Sequence, residues 1–171
     1  TAMKFMPTGG INEKNLLSYL DFPKIIACGG SWMVSDKLIN AGEFDKIRDM
    51  TAEAVNMMLG FELGHIGINA SSETEAGGIA DAFCNVFGFV KKDGNSSIFA
   101  GSGVEVMKQP YLGAKGHIAI RTNYIERAIW HLEQRGMVFD EDTAKYDKKG
   151  VLKAIYSKDE IGGFAVHLVQ K

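Results

Sequence analysis

A short phrase occurs twice in this chain, as Gly64-His65-Ile66-Gly67-Ile68 and again as Gly116-His117-Ile118-Ala119-Ile120. Each copy alternates in the manner of a half-buried strand. His65, Gly67 and Asn69 fall on one face and Ile66 and Ile68 on the other, just as His117, Ala119 and Arg121 stand opposite Ile118 and Ile120. The stretch after each phrase repeats as well. The first copy reads as a strand at 63–69, a helix at 73–86 and strands near 87–91, 96–100 and 103–108. The second reads as a strand at 116–122, a helix at 124–135 and strands near 137–139, 151–157 and 163–170. Both are β-α-β-β-β, and both helical patterns end in a glycine, Gly88 and Gly136. Units that recur at such a period are treated as one architecture. A histidine at the same place in both first strands points to a site built between the copies.

Residues 1–59 have another pattern. Lys4-Phe5-Met6-Pro7 reads as a short strand ending in Thr8-Gly9-Gly10, and a helix is expected over 11–20 with Asn12 as its N-cap. Lys24-Ile25-Ile26-Ala27-Cys28 is a nearly continuous apolar run, as in a parallel strand covered on both faces, and it ends at Gly29-Gly30-Ser31. A helix over 43–59 carries Phe44, Ile47, Met50, Ala54, Val55 and Met58 on one stripe. The order is β-α-β-α with a glycine pair after each strand. Such a pair either permits a tight turn or lets two neighbouring loops turn backbone N–H groups toward one anion.

Phe5-Met6-Pro7-Thr8-Gly9-Gly10-Ile11 followed by Ala27-Cys28-Gly29-Gly30-Ser31-Trp32 resembles the end of 2-keto-3-deoxy-6-phosphogluconate (KDPG) and 4-hydroxy-2-oxoglutarate aldolases. In that family these segments come after the seventh and eighth strands of a (β/α)8 barrel. The resemblance implies a phosphate-binding end made of Thr8, Gly9, Gly10, Gly29, Gly30 and Ser31. Nothing in the chain corresponds to the earlier strands that carry the family's Schiff-base lysine and proton-transferring glutamate, and two units cannot close such a barrel. Residues 1–59 are therefore expected to be the tail of a longer aldolase, a lyase, and this chain alone to lack aldolase catalysis. Its open strand edges are expected to pair, giving a homo-oligomer.

The paired β-α-β-β-β pattern over 60–171 resembles the vicinal oxygen chelate superfamily, which includes glyoxalase I, bleomycin-resistance proteins, extradiol dioxygenases and methylmalonyl-CoA epimerase. In its metalloenzymes each module gives one ligand from its first strand and one from its last. On this chain the resemblance implies His65 and Glu105 from the first module and His117 and His167 from the second, with Glu105 also the candidate catalytic group. Glu105 lies in Val104-Glu105-Val106 and His167 in Val166-His167-Leu168, so alternation sets each on the face opposite its apolar neighbours. Three imidazoles and a carboxylate suit a divalent Zn, Ni, Co, Fe or Mn ion. A histidine in the last position, where a glutamate is commoner, removes one negative charge. Lone strand histidines are more often structural, but the chain has 4 in all and the implied ligand set takes three of them. His131, in a helical stretch, reads as a surface or packing residue.

The expected fold is thus α+β: duplicated β-α-β-β-β modules over 60–171, preceded at 1–59 by two β-α units from the end of a TIM barrel. The expected function is an aldolase fragment carrying a glyoxalase-like domain that binds a divalent metal and a small 2-oxo or vicinal-oxygen compound. That domain is a candidate metal-dependent lyase, isomerase or dioxygenase. The ligand expected is a 2-oxo acid or a phosphorylated sugar acid. The alternative is a metal-free small-molecule-binding or oligomerisation module. A net charge of −2 shows no electrostatic footprint for nucleic acid, and no apolar run approaches the length of a membrane span. Cys28 and Cys84 read as buried thiols in a reducing compartment, which with a start that lacks a hydrophobic signal core suggests a cytoplasmic protein. The segment 140–149 reads as a charged solvated loop, and Arg121 either as a structural salt-bridge partner or as a group facing a substrate carboxylate.

Overall fold

The computed structural model describes residues 2–171 and divides them into two compact units, with the change between Gly60 and Phe61.

In the N-terminal unit the two strand-like segments run parallel and, among the described residues, pair at isolated bridges, Phe5 to Ile25 and Thr8 to Gly29. Three helices accompany them: α1 (Leu16–Leu20), α2 (Asp36–Asn40) and α3 (Phe44–Leu59). The helix expected over 11–20 begins only at Leu16, with Asn15 rather than Asn12 at its N-cap position. The asparagines explain the delay. Asn12 Oδ1 accepts from Lys14 N, Asn15 Oδ1 accepts from Asn12 N, and both side-chain amides donate to Gly10 O. These local bonds compete with the helical ladder and hold the segment as a turn. Helix α2 was not anticipated, although Ser35 caps it by accepting from Leu38 N at 3.4 Å. Ile11, Leu16 and Leu20 are buried, whereas Phe5, Met6, Phe22 and Ile26 are exposed.

The C-terminal unit shows its duplication directly. Module one is β1 (Glu62–Asn69), α4 (Glu73–Phe87), β2 (Lys91–Asp93), β3 (Ser97–Ala100) and β4 (Val104–Met107). Module two is β5 (His117–Thr122), α5 (Ile125–Glu133), β6 (Phe139–Tyr146), β7 (Leu152–Ser157) and β8 (Ala165–Gln170). All eight strands form one sheet in the order β2-β3-β4-β1-β5-β8-β7-β6. In each module the first strand runs parallel to its own last strand, β1 to β4 and β5 to β8, and the modules join where β1 and β5 pair antiparallel. This is the expected α+β architecture, two β-α-β-β-β modules joined in one sheet.

Two boundaries differ from expectation. Phe87 completes α4 instead of opening a strand, and Gly88, at φ 70°, supplies the left-handed residue that ends the helix. The segment read as a charged loop from residue 140 is mostly strand β6, paired with β7 from Phe139–Ser157 to Tyr146–Leu152 with irregular register between. As the edge strand it keeps one side in water, so its charges do not oppose pairing and do conceal its alternation.

Packing decides which face carries chemistry. Ala76 and Ala80, one turn apart on α4, close against Ile98 and Val106, with Ile68, Ile79 and Val104 at the margin. Each buried Val or Ile contributes about 1.5–3 kcal/mol. Ser72 caps α4 by accepting from Glu75 N, and the Glu75 carboxylate accepts from Ser71 N. Helix α5 buries Ile125 and Ala128 and packs on β7 and β8, which bury Ile155 and Leu168. The alternate side chains of the sheet, among them His65, Glu105, His117 and His167, are left for the opposite face. Cys28 and Cys84, expected to be buried, are half-buried thiols.

Candidate metal centre

Strand register assembles the centre as two short rows crossing the middle of the sheet. Gly67 lies opposite Glu105 on one side and His117 on the other. Ala119 lies opposite His65 and His167. The third residue beyond each phrase's glycine is therefore small because the other copy's histidine lies across it. The requirement is strictest at Gly67, where a Cβ would stand 2.0–2.2 Å from ring atoms of His117. Gly67→Ala is accordingly expected to push the buried His117 ring aside and to destabilise the unit by about 1–3 kcal/mol. It should also weaken metal uptake. Ala119→Gly, the matching position, should cost about 1 kcal/mol or less and leave uptake unchanged. Chemical denaturation and metal titration of both variants check this, and a Gly67→Ala protein that matches the parent in both would refute it.

Three polar atoms converge. His65 Nε2 lies 2.9 Å and His117 Nε2 3.1 Å from Glu105 Oε2, and the two imidazole nitrogens are 3.2 Å apart. His167 closes the group, its ligand atom within 4.8 Å of those of His65 and His117. Atoms sharing one cation at 2.0–2.2 Å with near-right angles stand about 3 Å apart, so the triangle has the spacing of a ligand set. Protons fill it poorly. If both imidazoles donate to the carboxylate, two N–H groups face each other. His167 Nε2 is buried with no hydrogen-bond partner among the described residues, and the same holds for His117 Nδ1 over Gly67. Buried polar atoms are nearly always satisfied. A divalent cation would engage the lone pair at His167 Nε2 and replace the opposed protons of the triangle. The residues present fit a divalent cation.

Electrostatics prepare the same state. Burial would raise the Glu105 carboxyl, but hydrogen bonds from His117, His65 and Ser97 outweigh it and hold the group well below the ordinary carboxylate range. Ser97 Oγ donates to Glu105 Oε1 at 2.5 Å, leaving Oε2 to the imidazoles. Burial, with His117 and His65 nearby, lowers His167 to about 3, so it is neutral at pH 7 and keeps a lone pair. Metal ligands need this protonation.

The walls repeat with the modules. Phe99, opposite Glu105, meets His65 edge-on at a centroid distance of 5.5 Å. Tyr156, opposite His167, meets His117 edge-on at 6.1 Å and stacks on His167 at 4.4 Å and 8°. Burial, with Tyr111 and Glu105 nearby, raises the Tyr156 phenol, so it stays a neutral O–H. Phe99, Tyr156, Ser97 and the need for glycine at 67 were missed from sequence. Aligning the two modules strand by strand would have found the aromatic pair. His131 lies on α5 beside Arg135, away from the cluster. Arg121 makes no ion pair among the described residues, which corrects the structural salt bridge considered for it.

The six glycine-motif residues lie in the N-terminal unit. Thr8 and Gly29 are brought side by side, with Gly29 N donating to Pro7 O at 2.9 Å. Gly9 and Gly10 have φ of 87° and 72°, and a Cβ on Gly30 would overlap the Trp32 ring. Ser31 is exposed.

Comparison with known proteins separates the two parts. Residues 1–50 match the family model "KDPG and KHG aldolase". The N-terminal segment is aldolase-like. It is 41% identical over 58 residues to a 2-dehydro-3-deoxy-phosphogluconate aldolase of Treponema pallidum, covering 34% of this chain and 28% of that protein. It is 43% identical over 56 residues to the Haemophilus influenzae enzyme of the same name, covering 33% and 26%. The chain thus spans about a quarter of the length of these relatives. Among solved structures, a hypothetical protein from Bacillus halodurans C-125 superposes with a TM-score of 0.46 at 17% identity, over 65% of this chain and 94% of that one. Methylmalonyl-CoA epimerase from Mycobacterium tuberculosis gives 0.46 at 13% identity, over 66% and 89%.

Proposed function

We propose that residues 60–171 form a glyoxalase-like domain that binds one divalent metal through His65, Glu105, His117 and His167, and with it a small 2-oxo or vicinal-oxygen compound. The observation that carries this reading is the triangle of two imidazole nitrogens and one carboxylate oxygen, 2.9–3.2 Å on a side, beside an unpartnered His167 Nε2. When bound, the metal supplies Lewis acidity toward an oxygen of the compound. The chain's own part is to present Glu105 ionised and His167 neutral, to hold the rings in place with Phe99 and Tyr156, and to keep the buried Tyr156 phenol neutral beside His167. Glu105, held by Ser97 through one oxygen, is the candidate for moving a proton.

Residues 1–59 are proposed to belong to an aldolase of KDPG or 4-hydroxy-2-oxoglutarate, whose glycine loops would face a phosphate. A 2-oxo compound handled by the second domain would then share the chemistry of the first. The pair is proposed to act in the cytoplasm, as an oligomer. Elemental analysis of the purified chain tests the metal reading. About one divalent ion per chain is expected, retained in His167→Glu. No metal in either protein, even after incubation with Zn, Ni, Co, Fe or Mn salts, would leave the metal-free binding or oligomerisation module as the function.

A further inference from the structure

Beyond the ligand rows lies a cation that no ion pair engages among the described residues. Arg121 shares its face of β5 with Ala119 and His117, two residues on from the row that carries His65, Ala119 and His167. Its cross-strand neighbour is Glu62, whose carboxylate is taken by Lys171 at 3.1 Å. Arg121 is half-buried, yet no hydrogen bond or ion pair engages its guanidinium among the described residues. Room for it is built in. The register between β1 and β5 slips between Leu63 and His65, so Gly64 is an extra residue in the ladder. A Cβ on Gly64 would come within 3.1 Å of Arg121 Cγ and 3.2 Å of Ala119 Cβ. The bulge and the glycine together let the arginine stem lie beside the small residue between His65 and His167.

Charge and spacing say what this cation is for. Glu105 offers one negative charge against the two of a divalent ion, so the centre keeps one positive charge. Arg121 adds a second about 7 Å further along the strands, the rise of two residues. Resting on the metal-centre reading above, we infer that the site takes a dianionic 2-oxo acid. Its 2-oxo and carboxylate oxygens face the metal ligands, and a second anionic group three to four atoms away is gripped by the Arg121 guanidinium. The guanidinium fork binds carboxylate and phosphate alike.

The test uses the full chain loaded with Co2+, monitored by visible absorption. 2-Oxoglutarate, a dianion, is compared with 2-oxopentanoate, which has the same chain length and a methyl end. The parent is expected to bind 2-oxoglutarate about tenfold or more tightly than 2-oxopentanoate. Arg121→Met should remove that preference while taking up Co2+ as before, and Arg121→Lys should keep part of it. Should Arg121→Met load normally and still prefer the dianion, this inference is overturned and the metal centre stands. Should the parent take up no Co2+, the metal reading fails and the inference falls with it. Equal binding of the two acids by the parent overturns the inference as well. Arg121→Lys carries the decision if Arg121→Met does not fold, since a lysine that leaves the preference undiminished removes any role for the fork.

Discussion

Replacing His117 with alanine is expected to reduce bound metal from about one ion per chain to less than about a tenth. Of the four proposed ligands His117 is the most deeply buried. Its Nε2 is within 3.2 Å of both His65 Nε2 and Glu105 Oε2, and its ring is almost fully buried over Gly67. Losing it removes one donor and one of the bonds that keep Glu105 ionised and aimed. Loss of an outer-shell partner alone costs about 10–100-fold in metal affinity, so loss of this ligand should cost more than about 100-fold. Thermal stability gives a second readout. Metal at about 100 times its dissociation constant stabilises the folded unit by about 2.7 kcal/mol, which for a domain of this size raises Tm by roughly 10 °C or more. Added Zn2+ should produce that rise in the parent and none in His117→Ala. His131→Ala, on the exposed side of α5, should behave as the parent does. A His117→Ala protein that retains stoichiometric metal would falsify the proposed ligand set.

The centre was legible to the extent that it obeys period-two alternation. His65 and His117 announce themselves through the repeated phrase. Glu105 and His167 were implied by the resemblance, and alternation between apolar neighbours set the face on which each lies. What alternation cannot supply is register. The sequence puts Gly67 and His117 on the correct face but does not say that they face each other, and that pairing is what makes Gly67 irreplaceable by alanine. Nor does it show the slip at Gly64 that makes room for Arg121. Local polar chemistry defeated the periodic reading in the N-terminal unit. Asn12 and Asn15 satisfied turn carbonyls and amides before a helix could use them. On β6 the charged run Asp140-Glu141-Asp142 hid a strand, because an edge strand needs apolar residues on one side only. In both places the apolar period was a poor guide because polar groups set the local structure, through side-chain bonds in the first and solvent on one side in the second.

Acid should begin to destabilise the metal-free C-terminal unit well before ordinary carboxylates titrate. His167 is held at about 3 when folded and returns to about 6.5 when unfolded. Between those values the unfolded chain binds a proton that the folded one refuses, so stability rises with pH across the window. The contribution is complete above about pH 6.5 and is lost as pH falls, at about 1.4 kcal/mol per unit, on the order of 4 kcal/mol by pH 3. Glu105 is also depressed, and its contribution, present above its unfolded value of 4.5, drains away only at more acid pH. The two losses have the same sign and are staggered, and between about pH 6.5 and 4.5 His131, depressed by burial and the nearby Arg135, adds to the loss from His167 in the same sense. Urea denaturation of the chelator-treated protein across pH 4–8 reads this directly. A fall of roughly 2–3 kcal/mol from pH 6.5 to 4.5 is expected from His167, and His167→Gln, which cannot titrate, should remove that share while preserving the decline below it. Bound metal protects the same ligands from protons, so saturating Zn2+ should move the onset of the loss to lower pH. A metal-free stability that stays level between pH 6.5 and 4.5 would show that His167 accepts a proton in the folded state and is not the neutral donor that the centre needs.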